Sequence, residues 1–199
     1  MTRFTVTFCC LLIFSSPATF SAGLVYDIST YLTASEAKQR YTACMVLGEL
    51  PLDGETESRL RNLHKKKPKE LDPLCLAYVL AKRTQERAYQ DEFIRLYPSG
   101  KQQSSVWQKH TEAGYPFGIV SPLGVHLADL ARTNDVALVK LASGLPFVDG
   151  AYAESLVDEL ASLYRINPDR VNRALRSASA EAHTQLIRET ALQKEKQHE

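Results

Sequence analysis

Apolar positions along this chain recur three and four residues apart, and capping residues, prolines and glycines separate the runs. Ala37, Tyr41, Cys44 and Gly48 mark one face of a first helix. Ahead of it, Thr33-Ala34-Ser35-Glu36 has the form of a capping box, with Thr33 holding backbone donors and Glu36 reaching back. Glu55 to Lys66 predicts a very polar helix that touches the core through Leu60 and Leu63, and Lys67-Pro68 ends it. Asp72-Pro73 places an N-cap and a first-turn proline before Leu74 to Leu80, which is apolar nearly all round and so predicts a central, buried helix. Glu86 to Leu96 continues with Tyr89, Phe93, Ile94 and Leu96. Lys101 to Glu112 is a weaker helix carrying Val106 and Trp107.

Past an irregular stretch from Ala113 to Val120, Ser121-Pro122 opens another helix with Ser121 as its cap. Asn134 and Asp135 start the next, and Gly144-Leu145-Pro146 breaks it. Ala151 to Tyr164 carries the stripe Tyr152, Leu156, Leu160 and Leu163. Asn167-Pro168 starts a longer helix with Val171, Leu175, Ala178, Ala182 and Leu186 on one face. Strand signals are thin: only Leu24 to Ile28 and Phe117 to Val120 read as extended, and neither has an evident pairing partner. The fold class expected is all-α. From Pro122 to Leu175 the alternation of helix pairs suggests a short HEAT-like or TPR-like stack, but no fixed period accompanies it, so an irregular helical bundle fits equally well.

The first 22 residues follow a different rule. Arg3 is a short positive region, Phe4 to Phe14 is apolar apart from Thr5 and Thr7, and small residues follow it. This is the three-part layout of a secretory signal peptide, with cleavage after Ala18, Ser21 or Ala22, and its apolar run is shorter than a bilayer span. Residues 23–192 then form a single all-helical domain, and 193–199 a frayed polar tail. The expected location is exported: periplasmic in a Gram-negative bacterium, secreted otherwise. No other segment approaches a transmembrane run.

Removing that leader changes two counts. The whole chain has 24 Lys and Arg against 23 Asp and Glu. Without Arg3, basic and acidic residues balance, and there is no overall charge to draw a nucleic acid. Cys9 and Cys10 leave with the leader, so Cys44 and Cys75 remain with one intramolecular pairing between them. Both sit among apolar neighbours, and oxidising compartments favour the disulfide over two buried thiols. Two cysteines without C-x-x-C spacing or paired histidines suit neither a redox motif nor a zinc site.

Candidate chemistry is sparse, and no metal or cofactor is implied. His126 and Asp129, three apart on one helix, have the spacing of a base and its orienter. His110 and Glu112 stand ahead of the irregular loop and would assist if that loop folds over the His126 helix. The competing reading makes all four ordinary surface or helix-packing side chains. Lys65, Lys66 and Lys67, followed by Pro68 and Lys69, form the strongest local charge run, suited either to an acidic partner or to the C-terminal end of a helix dipole. Tyr115 and Phe117, between Gly114 and Gly118 and near Trp107, supply either recognition anchors or core plugs. Three functions are therefore expected in competition. The first is a non-enzymatic binding partner, such as an immunity or inhibitor protein that occludes a toxin or enzyme. The others are an exported hydrolase using His126 and Asp129, and an envelope assembly or structural factor.

Overall fold

The most apolar stretch of the chain becomes its central helix. In a computed structural model, which describes residues 17–112, 121–148, 150–179 and 184, every residue from Cys75 to Ala81 is buried. The described residues form ten α-helices and no strand. They are α1 (Pro17–Thr30), α2 (Ala37–Glu49), α3 (Gly54–Lys66), α4 (Pro73–Thr84), α5 (Arg87–Leu96), α6 (Ser104–Glu112), α7 (Pro122–Ala131), α8 (Asp135–Ser143), α9 (Gly150–Ile166) and α10 (Pro168–Ala178). Short 3-10 turns stand at Tyr31–Thr33, Gly100–Gln103 and Leu145–Phe147.

The arrangement is an irregular all-α bundle. Helix α4 packs on α5, α2 and α3, and α1 lies on α2 and α3. In the second half α8 sits between α7 and α10, and α9 packs on α10. Contacts of α4 with α7 and of α5 with α8 join the halves, and one hydrophobic core runs through both, from Val25 to Leu175. No described helix is long and apolar enough to cross a membrane.

Local chemistry explains four of the helix starts, those of α3, α4, α8 and α10. Asp72 accepts from the backbone N–H groups of Leu74 and Cys75 at 3.0 and 3.4 Å. Asn134 accepts from Val136 and Ala137 at 2.9 and 3.1 Å, and Asn167 from Arg170 at 3.1 Å. Asp53 caps α3 by accepting from Thr56 N at 2.7 Å. In each case a short polar side chain satisfies donors that the first helical turn leaves open.

Several expectations need correction. Leu24 to Ile28 is helical within α1, because Val25 and Ser29, four apart, both enter the interior. The capping box does not form: Glu36 is the N-cap of α2 without a side-chain bond, and the Thr33 hydroxyl donates to Thr30 O at 3.2 Å. Ser121 precedes α7 but does not cap it with its side chain; its hydroxyl is 3.0 Å from Tyr41 Oη in the interior. Helix α6 begins at Ser104, behind a 3-10 turn from Gly100. The helix opened by Asn167 ends at Ala178, where Ser179 turns extended, so its stripe does not continue unbroken to Leu186. Phe117 to Val120 and the 193–199 tail lie outside the described residues, as do residues 1–16 of the expected leader. Helix α1 crosses all three expected cleavage points, and its buried Val25 and Ser29 follow the last of them.

Candidate functional site

Helix α7 places His126 and Asp129 as their spacing requires, but the two meet different surroundings. His126 is buried, with its ring against Tyr78 of α4 (centroids 5.7 Å apart) and Phe93 of α5 (5.2 Å). Burial, reinforced by the Lys82 ammonium and opposed by Asp129 and Glu49, pushes its pKa down to about 4. Its Nε2 has no hydrogen-bond partner among the described residues. Asp129 is exposed and lies 3.7 Å from Arg132 on the next turn. No hydrogen bond joins the two, so Asp129 does not orient the imidazole, and the ring faces aromatic carbon where a base must face its substrate. Glu112 is exposed on α6 and accepts from Gln108 Nε2 at 2.8 Å. His110 and Trp107 lie on α6, with side chains outside the described set, and Tyr115 and Phe117 lie outside it altogether. No metal-binding group of three His, Cys, Asp or Glu occurs among the described residues.

The surroundings of His126 are built for packing. Cys44 and Cys75 form a disulfide, with Cα atoms 5.7 Å apart, that ties α2 to α4. One turn along α2, Gly48 leaves room for the Tyr78 ring. The Tyr78 hydroxyl donates to Glu49 Oε1 at 3.2 Å, and Lys82 Nζ donates to the same oxygen at 2.5 Å. The Lys82 bond holds the Glu49 carboxyl below its ordinary range, while burial and the neighbouring Glu49 push the Tyr78 phenol up.

A more open site forms where α3, α4 and α5 meet. Beside it Arg61 links α3 to α5: it pairs with Glu57 on α3 at 2.6 Å, with Glu86 just before α5, and donates to Tyr89 Oη at 3.1 Å. His64 stacks edge-on against Tyr89 and lies 2.5 Å from Glu92 on α5. Beyond Lys66 the chain takes a left-handed turn at Lys67 (φ 47°), whose N–H donates to Leu63 O at 2.8 Å. That turn divides the lysine run. Lys66 borders a separate groove beside Tyr26 and Arg59, whereas Lys67 and Lys69 stand over the α3–α5 side.

The resulting groove has a volume of about 440 Å³. Leu71, Leu76 and Leu96 line its apolar part, with Pro68 and Pro73 at the connection before α4. Lys67, Lys69 and Arg95 supply positive charge around it, and Glu92 is the one acid in the lining. Glu92 is already engaged, by His64 at 2.5 Å and by Arg95 at 3.5 Å. No described carboxylate pairs with Lys67 or Lys69. The C-terminal end of α5, which carries Arg95 and Leu96, is anchored from behind by Lys140 of α8, which donates to the backbone oxygens of Ile94 and Arg95. Sequence reasoning singled out the lysines but not Arg95 or the leucine floor as their neighbours: Arg95 and Leu96 stand on α5, Leu76 on α4 and Leu71 in the connection before it. Comparison with family models, with curated proteins and with solved structures found no match for this chain.

Proposed function

We propose that this protein is an exported, non-enzymatic binding protein that acts by occluding part of a partner protein, as an immunity or inhibitor protein does. The observation that carries the reading is the α3–α5 groove, an apolar recess on a helical body whose border holds Lys67 and Lys69 without a described carboxylate partner. Protein interfaces have this anatomy, an apolar centre inside a polar rim. Export is supported by the leader-like pattern of residues 1–22 and by the Cys44–Cys75 disulfide, since such bonds persist in oxidising compartments. The burial of His126 against Tyr78 and Phe93 weighs against the hydrolase alternative.

The test is capture of a partner from the exported fraction of the native host, followed by titration of that partner's own activity. An occluding protein abolishes the activity at equimolar ratio and itself shows no turnover. A captured partner whose activity is untouched would overturn occlusion and favour an assembly role. Recovery of no specific partner would remove the reading.

A further inference from the structure

We infer that the α3–α5 groove binds an acidic peptide segment, one in which carboxylates flank an aliphatic side chain. This rests on the binding-protein reading and names the chemistry of its partner.

Three features select that occupant. The first is charge: Lys67 and Lys69 have no carboxylate among the described ion pairs, and Arg95 shares its one acid with His64. A ligand carboxylate would therefore meet cations whose charge is not cancelled by the protein. The second is the floor. Leu71, Leu76 and Leu96 line the same recess as the cations, so a ligand that fills it presents an apolar group together with its charges. The third is size. A recess of about 440 Å³ takes one or two side chains, and not the paired acyl chains of a phospholipid. No Trp, Tyr or Phe lines it, and the one aromatic ring that does, His64, is held edge-on against Tyr89 and bonded to Glu92, which leaves no free platform on which a nucleic-acid base would stack.

The backbone adds a reason for the arrangement. Lys67 occupies a left-handed conformation that favours glycine, and from this turn onward Lys67 and Lys69 border a different groove from Lys66. A straight continuation of the helix would have spread the lysines around its axis. The cations that face the groove are therefore a product of the turn, and the separation from Lys66 gives an internal control.

The experiment is fluorescence anisotropy with the full chain and a labelled short peptide carrying Glu-Leu-Glu in a Gly/Ser context. Matched peptides carry Lys-Leu-Lys and Glu-Ser-Glu. Binding is expected for Glu-Leu-Glu alone, weakening as salt rises from about 50 to about 300 mM. The double variant Lys67→Glu with Lys69→Glu, and separately Arg95→Glu, should each weaken it by about tenfold or more. Lys65→Glu with Lys66→Glu should change it by less than about twofold. Lys67→Gly serves as a second variant: it removes a cation and relaxes the backbone at that turn, so weaker binding there cannot be attributed to unfolding. Equal binding of Glu-Ser-Glu would overturn the role of the leucine floor. Equal loss in the Lys65/Lys66 variant, or binding to phosphatidylserine vesicles without binding to the peptide, would overturn the proposal. If a native partner is captured and inhibited normally by the Lys67/Lys69 variant, the binding function stands and this inference alone falls.

Discussion

The ring of Tyr78 occupies the space that a side chain at residue 48 would need: a Cβ built on Gly48 overlaps Tyr78 Cε1 and stands 2.6 Å from Cζ. Tyr78 is itself fully buried and is fixed at its far end by Glu49, so the ring has no free direction in which to retreat. Gly48→Ala should therefore destabilise the fold by about 1–3 kcal/mol, the usual cost of overpacking a close contact. Urea denaturation followed by circular dichroism measures this. Pairing Gly48→Ala with Tyr78→Ala should show a favourable coupling, since the second change removes the obstacle met by the first. Additive losses would mean that the contact is not the cause.

The Cys44–Cys75 bond closes a loop of 31 residues and joins α2 to the central helix. A cross-link over that separation is worth about 3–4 kcal/mol through the unfolded chain. Mass analysis of the protein before and after alkylation, with and without reduction, should find no free thiol at either position until reductant is added. Cys44→Ser with Cys75→Ser should lower stability by roughly the same amount.

His126 makes stability depend on pH. Its folded pKa is about 4, below the ordinary histidine value of 6.5, so between those limits the unfolded chain binds the additional proton. Stability from this residue is thus complete above pH 6.5 and falls as pH drops towards 4, by roughly 3 kcal/mol at most. The physical cause is the cost of placing an imidazolium between Tyr78 and Phe93, with the Lys82 ammonium nearby. His126→Leu should flatten the stability profile in this window. Glu49 acts lower on the scale: its carboxyl is held below the ordinary value of 4.5, so its contribution is present above 4.5 and is lost as pH falls beyond it. A profile that keeps its slope between pH 6.5 and 4 in the leucine variant would assign the effect to other groups.

Asp72 has two separable tasks. One carboxylate oxygen caps α4 through Leu74 N and Cys75 N, and the other receives Lys109 Nζ at 2.8 Å. Asp72→Ala should cost about 1 kcal/mol through the lost cap. Asp72→Asn retains a capping oxygen and loses the ion pair, and since Lys109 is half exposed the change should stay below about 0.5 kcal/mol. Thermal unfolding of the two variants separates these effects.

Helix starts were legible wherever the signal is local. Asp72, Asn134 and Asn167 each reach backbone N–H groups two or three residues ahead, so a few adjacent residues decide the outcome. The disulfide was legible by elimination, once Cys9 and Cys10 are set aside with the expected leader. Thr33 and Ser121 misled because the same hydroxyl has competing partners: Thr33 turned back to Thr30 O, and Ser121 met Tyr41, which lies 80 residues away. Leu24 to Ile28 is too short for its period to separate strand from helix, and packing settled it.

The sequence by itself determined the all-helical class, the central place of Leu74 to Leu80, the cysteine pair and the presence of a lysine run, because each depends on composition or on neighbours within a few residues. Only the tertiary structure decided which polar groups meet. It placed His126 among aromatic rings from α4 and α5, away from a working partnership with Asp129. It also brought Lys67 and Lys69 together with Arg95 and Leu96 from another helix. A helix pattern states which residues share a face. It does not state what that face meets, since burial and charge pairing are set by side chains distant in the chain.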